Sequence, residues 1–274
     1  MLSVIIPASN EETYIGQCLG ALLTSETVPG GAEVVVVANG CHDATFDIAR
    51  GFAGRAAAAG WGFVVLDLAQ GSKPAALNAG DNAAQGEMRA YLDADVQVAP
   101  ALMAQLVSVL LRDAPAYASG TPVIPRPKSW VTRAYTRFWQ CLPFAQSTAP
   151  GYGLFAVNAG GRARWGAFPG IISDDTFVRL QFMADERLQC PATYTWPMIE
   201  GFAPLVRVRR RQDAGVAEIA RLFPDLPGRE GRPAMGILDL TKMALRDPLG
   251  FGTYAAVSVA VRLRRRSKSW TRGR

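Results

Sequence analysis

A chain of 274 residues that is 49% hydrophobic and 19% charged, with 27 Gly and 18 Pro, carries enough apolar side chain to bury one sizeable core. That excludes a disulfide-stapled miniprotein, a fibrous repeat and wholesale disorder. The net charge of +6 is local, because Arg262–Arg274 hold seven positive charges and no acid, which leaves a net charge of about −1 over residues 1–261. A nucleic-acid reader spreads Lys and Arg over a face of its folded body, whereas a basic end beside an apolar stretch suits an anionic membrane surface. The four cysteines form no CxxC pair and share the chain with a single histidine, His42, so neither a zinc site nor a disulfide framework is expected.

Met1–Pro7 is apolar without the basic start of a secretory leader and runs into polar Ser9-Asn10-Glu11-Glu12, so it reads as a first strand over Leu2–Ile6 in a cytoplasmic protein. A helix over Glu11–Leu23 follows, with Ile15, Cys18, Leu19 and Leu22 on one face. Next come a strand over Glu33–Ala38, a helix over His42–Ala59, a strand over Gly62–Leu68, a helix over Pro74–Ala84 and a strand over Met88–Leu92. This alternation predicts an α/β fold whose parallel strands are joined by crossover helices, a nucleotide-binding half spanning residues 1–125. A helix over 99–113 and a strand over 116–124 complete it, and Pro122, Pro125 and Pro127 mark its edge.

Residues 126–230 read as a second half of the same domain. They hold an aromatic and basic helix (Ser129–Leu142), a glycine-rich strand (Gly151–Asn158), a helix opened by acids (Ser173–Met183) and an arginine cluster at 207–211. Residues 231–274 are expected to form C-terminal helices and a basic tail. Within them, Leu249–Val261 is uncharged but glycine-interrupted and short of the roughly 20 residues needed to span a bilayer.

Ligands of open α/β sheets bind beyond the carboxyl ends of the strands, so the polar residues after each strand are the candidates. They are Pro7, Ala8, Ser9, Asn10 and Glu11 after the first strand, Asn39, Gly40 and Asp43 after the second, Ser72 and Lys73 after the third, and Asp93 and Asp95 after the fourth. No GxGxxG follows the first strand, which disfavours a dinucleotide site. Carboxylates at i and i+2 can point the same way and share one hard cation, so Asp93 and Asp95 read either as ligands of Mg²⁺ or Mn²⁺ or as a cap on the helix starting near Ala99.

Ser3–Glu12 (SVIIPASNEE), Val37–Asp43 (VANGCHD), Lys73–Gly80 (KPAALNAG), Tyr91–Asp95 (YLDAD) and Ser173–Asp175 (SDD) recur in this order. With them the chain resembles family 2 glycosyltransferases over about residues 2–215. The resemblance implies a GT-A-like α/β sandwich with a mostly parallel central sheet, a nucleotide-diphospho-sugar donor, a divalent cation and inversion at the anomeric carbon. Carried over residue by residue, it puts the donor-binding loop on Pro7, Ala8, Asn10 and Glu11, and the base-contacting position on Asn39, where the family has an acid. It puts donor contacts on Lys73, Asn78 and Asp93, and the metal on Asp95 and Asp93. The catalytic acids fall on Asp174 and Asp175, with the base on Asp175 and Asp174 free to cap the helix. Arg211 takes the place of a diphosphate clamp, Gln212 stands where the family has tryptophan, and Gly151–Gly153 match a glycine-bearing strand below the acceptor.

Trp130, Arg133, Tyr135, Arg137, Phe138 and Trp139, together with the basic tail, fit a membrane interface or, for the aromatics, a core. The resulting expectation is an inverting glycosyltransferase of surface polysaccharide or glycolipid assembly. It would act on a sugar or lipid-linked hydroxyl acceptor at the inner face of the cell membrane, with no nucleic-acid partner. The alternatives are a catalytically silent nucleotide-sugar-binding scaffold of the same fold and a sugar nucleotidyltransferase. The acidic loop Pro7–Glu11 argues against the second.

Overall fold

A computed structural model describes residues 1–231 and 235–263. In chain order its first half holds β1 (Leu2–Ala8), α1 (Ile15–Leu22), β2 (Ala32–Asn39), α2 (Thr45–Arg50), α3 (Ala53–Ala58), β3 (Gly62–Leu68), α4 (Lys73–Ala83) and β4 (Met88–Leu92). There follow β5 (Gln97–Val98), α5 (Leu102–Leu110), β6 (Tyr117–Val123), α6 (Trp130–Trp139), β7 (Leu154–Val157), α7 (Ala159–Arg162) and α8 (Asp174–Arg179). The chain continues through β8 (Arg187–Thr195), α9 (Phe202–Leu222), α10 (Ile237–Arg246) and α11 (Pro248–Leu263).

The strands form one eight-stranded sheet in the order β3-β2-β1-β4-β7-β6-β8-β5, in which only β7 and β5 run against the rest. The α/β fold with a mostly parallel sheet is therefore as expected, and the C-terminal helices are present. The central strands are buried on both faces, as parallel strands covered by crossover helices must be. Leu2, Val4, Ile6, Val34 and Val36 pack with α1 and α5 on one side of the sheet. Ile5, Val35 and Val37 pack on the other side with Ala76 and Leu77 of α4 and with Phe177 and Val178 of α8. The basic run from Arg264 onward lies outside the described residues.

Several boundaries differ from those expected. The first helix starts at Ile15, because Glu11–Tyr14 form a turn whose Glu11 carbonyl accepts from the Tyr14 and Ile15 amides, leaving Asn10 and Glu11 on the strand-end loop. The helix expected over His42–Ala59 is split at Gly51, where the missing side chain removes the local preference for continuing. Gly151 and Gly153 do not lie in a strand. Both have positive φ (75° and 77°) in a turn before β7. A Cβ on Gly151 would stand 1.6 Å from the Tyr117 hydroxyl oxygen, and one on Gly153 would stand 2.7 Å from the Trp196 ring, so the backbone must be bare at both.

The aromatic and basic helix α6 is not a free surface. Tyr135 and Phe138 are buried against Tyr254 and Phe251 of α11, and Arg137 pairs bidentately with Asp247 at 2.6 Å. Only Trp130 among its large apolar side chains is well exposed. The arginine cluster likewise divides by role. Arg209 bonds Asp213 and Tyr254, and Arg210 donates to the carbonyls of Ala260 and Val261 at the end of α11, so these two tie α9 to α11.

Candidate active site

In the sheet order β1 lies between β2 and β4, so the chain winds outward in both directions from it, and the crevice of such a switch point opens beyond the carboxyl ends of β1 and β4. A cavity of about 440 Å³ occupies that place. Its floor is Pro7, Ser9, Asn10, Glu11, Asn39, Ser72, Lys73, Asp93 and Asp95, and its roof is Ser173, Asp174 and Asp175 with Arg209, Arg211 and Gln212 of α9.

The acids are brought in by two elements, the end of β4 and the start of α8. Asp93 and Asp95 follow β4, and the Asp93 amide donates to the Gly153 carbonyl at 2.9 Å, which fixes the strand end against the turn before β7. Lys73 is the first residue of α4, whose entry is capped by the Ser72 hydroxyl accepting from the Ala75 amide. Its Nζ stands 3.0 Å from Asp93 Oδ1 and 3.2 Å from Asp174 Oδ2, joining the end of β4 to the start of α8. Burial lowers the Lys73 pKa, but Asp174, Asp93 and Asp175 outweigh it and hold the ammonium above the ordinary lysine range.

Asp175 is pushed up to about 6 by burial and by neighbouring Asp174, against the opposing pull of Lys73 and of the Thr176 amide, which donates to it at 2.7 Å. A carboxylate with that poise is ionised at neutral pH yet basic enough to accept a proton, which is what a general base requires.

The loop carrying these acids is held from two sides. Asn78 donates to the Phe168 carbonyl at 3.1 Å and accepts from the Phe168 amide at 2.7 Å. On the other side Glu218 of α9 accepts from the Ile172 amide at 2.9 Å, and Gly215 lets α9 approach so closely that a Cβ there would meet Ser173 Oγ at 2.1 Å.

Of the residues predicted from the sequence, Pro7, Asn10, Glu11, Asn39, Lys73, Asp93, Asp95, Asp174, Asp175 and Arg211 all line the one cavity. Ala8 and Asn78 do not. Ala8 is fully buried, its carbonyl accepting from Asn39 Nδ2 and Cys41 Sγ, while the side-chain amide of Asn78 bonds the backbone of Phe168. Asn39 reaches the cavity wall, but its amide is committed: Nδ2 donates to the carbonyls of Ala8 and Val37, and Oδ1 accepts from the Ser72 amide. It braces β1, β2 and the start of α4. Asn10 has a left-handed backbone (φ 54°), and its Oδ1 accepts from the His42 amide at 2.7 Å, so it too shapes the loop.

The sequence does not disclose the cavity's other wall. Trp139, Tyr152 and Trp196 pack with ring centroids 4.5 to 5.9 Å apart, and Tyr135, Met198, Ile199, Leu205 and Val208 extend this apolar surface. These residues come from α6, the turn before β7, the segment after β8, and α9, and no periodicity links them. The partial signals in the sequence are the aromatic run that holds Tyr135 and Trp139 and the glycines flanking Tyr152.

A divalent cation can be tested against the donors present. Among the described residues no three His, Cys, Asp or Glu side chains form a ready metal cage. Mg²⁺ and Mn²⁺ need no such cage at a phosphate site, because they take one or two carboxylates and complete their shell with phosphate oxygens and water. Asp93 and Asp95 on the cavity floor supply that kind of hard oxygen pair.

Comparison with known proteins agrees with this architecture. The model of "Glycosyl transferase family 2" matches residues 3–164. Glycosyltransferase AglE of Haloferax volcanii is 43% identical over 95 residues, 34% of this chain and 30% of its own. An uncharacterized glycosyltransferase of Bacillus subtilis, EpsJ, is 30% identical over 106 residues, 39% of this chain and 29% of its own. The aligned segments thus span under a third of these curated relatives. The structure of mannosyltransferase PcManGT from Pyrobaculum calidifontis in complex with GDP-Man and Mn²⁺ superimposes with a TM-score of 0.63 at 19% identity, covering 96% of this chain and 75% of that one. S. aureus TarS 1–349 in complex with UDP gives 0.56 at 16% identity, covering 80% of this chain and 65% of that one. At such identities these likenesses speak for the fold.

Proposed function

Because the chain belongs to glycosyl transferase family 2, we propose that it moves a sugar from a nucleotide-diphospho-sugar to the hydroxyl of a sugar or lipid-linked acceptor, with inversion at the anomeric carbon. The observation that carries this reading is the meeting of Lys73, Asp93 and Asp174 within 3.0 and 3.2 Å, beside Asp175, at the switch point of a parallel sheet.

In this reading Asp175 accepts the proton of the acceptor hydroxyl as its oxygen attacks the anomeric carbon, and the bond from that carbon to the diphosphate breaks on the opposite face. Lys73 and Arg211 offer positive charge to the diphosphate, and Lys73 also keeps Asp93 and Asp174 compensated while the site is empty of donor. Asp95 and Asp93 would hold Mg²⁺ or Mn²⁺, which when bound supplies neutralising charge to the departing nucleoside diphosphate. Asp174, buried and paired with Lys73, positions that lysine and raises the basicity of Asp175. The aromatic wall of Trp139, Tyr152 and Trp196 gives the acceptor an apolar face to lie against. Solved structures of similar fold hold GDP-Man in one case and UDP in others, which leaves the base to experiment. Surface polysaccharide or glycolipid assembly beside the cell membrane is the setting that fits a lipid-linked acceptor.

The test is release of nucleoside diphosphate from a panel of GDP- and UDP-sugars with Mn²⁺ or Mg²⁺, with the anomeric configuration of the product read by NMR. Activity that needs the cation and is lost in both Asp95→Asn and Asp175→Asn supports the assignment. Full activity in both variants overturns it.

A further inference from the structure

The two last described helices leave a large apolar surface uncovered. On α10, at 100° per residue, Ile237, Leu238, Thr241, Ala244 and Leu245 share one arc, while Asp239, Lys242 and Arg246 share the opposite one. The arrangement is that of a helix with a core-facing stripe, yet α10 buries no residue, and Ile237, Leu238 and Leu245 are 84%, 76% and 76% exposed.

Helix α11 repeats the pattern. From Pro248 to Val261 it carries no charge at all. Gly250, Val257 and Val261 are buried on its inner side, where Val257 and Val261 pack with Tyr135, Leu205 and Val206. Leu249, Gly252, Ala256, Val259 and Leu263, spaced three and four residues apart, are exposed on the outer side. Single exposed apolar residues are ordinary, but an exposed apolar stripe on each of two helices in contact marks an interaction surface.

We propose that this α10–α11 face lies flat on an anionic lipid bilayer. Two observations select that occupant. The charges closest in sequence to the apolar stripes are mainly basic: Lys242 and Arg246 on α10 and Arg262 at the end of α11, followed by six further basic residues and no acid to the end of the sequence. A second copy of the chain docked on the same face would set these like charges against each other, whereas acidic headgroups neutralise them. The helices are also of interfacial and not spanning length: α11 has 16 residues, about 24 Å at 1.5 Å per residue against an apolar core of about 30 Å, and among the described residues no helix is long and apolar enough to cross.

The consequence concerns the acceptor, and this part rests on the glycosyl-transfer reading above. Tyr135 and Leu205 pack with α11 on one side and line the cavity on the other. The aromatic end of the site is therefore one helix layer from the bilayer, and an acceptor hydroxyl carried on a membrane lipid reaches it without leaving the membrane.

The experiment is sedimentation of the full chain with vesicles of phosphatidylcholine alone or mixed with phosphatidylglycerol. The expected result is binding to the mixed vesicles only. It should fall at least tenfold in the triple variant Ile237→Ser, Leu238→Ser, Leu245→Ser, and roughly fivefold for each of Lys242→Gln and Arg246→Gln. All five side chains are at the surface, so folding and the turnover of soluble donor serve as controls that must not change. Absence of vesicle binding, or binding unaltered by the triple variant, overturns the proposal. So does a concentration-dependent dimer in sedimentation velocity that the triple variant abolishes, which would make a second copy the occupant. If vesicle binding follows the expected pattern but no nucleotide sugar is turned over, the docking face stands and the catalytic reading falls.

Discussion

The poise of Asp175 yields a quantitative expectation for the pH–rate profile. With its pKa pushed up to about 6, it is almost wholly ionised at about pH 7.5 but only about one-tenth ionised at about pH 5. The kcat/KM, which reports the free enzyme, should therefore fall about tenfold between those two conditions, and about tenfold more for each further pH unit. An Asp at its ordinary value of about 3.9 would still be more than 90% ionised at about pH 5 and would show almost no loss there. Replacement by Asn removes the base, so kcat should drop by roughly 10²- to 10⁴-fold and the acid limb should disappear with it. The assay is initial-rate release of nucleoside diphosphate across buffers of constant ionic strength, with circular dichroism confirming the fold at each pH. A wild-type profile that stays flat to about pH 4.5, or an Asp175→Asn variant that keeps the same limb, would refute the argument. The raised value also has a thermodynamic side. The folded chain holds this proton more tightly than the unfolded chain does, so ionising Asp175 costs stability as pH rises from the ordinary 3.8 through about 6.

Four further outcomes follow from the packing around the site. Lys73→Met removes the charge that pulls the Asp175 pKa down, so the acid limb should move to higher pH in the same assay; an unmoved limb would separate the two groups. Asn39→Asp turns two donated hydrogen bonds into a carboxylate facing the carbonyls of Ala8 and Val37, and should cost about 1–3 kcal/mol in urea unfolding even though an acid is the family's usual residue there. Gly151→Ala meets both a φ of 75° and the Tyr117 hydroxyl oxygen, and should cost roughly 2 kcal/mol or more. Because that hydroxyl is buried without a hydrogen-bond partner among the described residues, Tyr117→Phe alone should not destabilise, and it should recover part of the Gly151→Ala loss in a double-mutant cycle.

The part of the molecule readable in advance is the part whose information is local. Val34–Val37 announce a strand buried on both faces, and the Gly and polar residues that punctuate β3 and β4 mark their bounds to the residue. The acids were equally readable, since each follows a strand or opens a helix. What could not be read is where side chains spend their hydrogen bonds. Asn39 and Asn78 stand at donor-type positions in the sequence, but each amide is used up on backbone groups that only the folded chain brings near. Pro191 interrupts the alternation that would mark β8, and the arginines of α9 read as a charged cluster and not as a helix. Trp139, Tyr152 and Trp196 come together only in three dimensions.

The interleaving of the sheet bears on how this scaffold can be recombined. β4 is bonded to β7, and β6 sits between β7 and β8, so pieces from either side of residue 125 alternate along the sheet. A chimera spliced there with a homologue would inherit mismatched ladders at four separate seams, β4–β7, β7–β6, β6–β8 and β8–β5. Specificity is better exchanged by grafting the stretches between strands, above all residues 143–153 and 196–201, while the woven frame stays of one parentage.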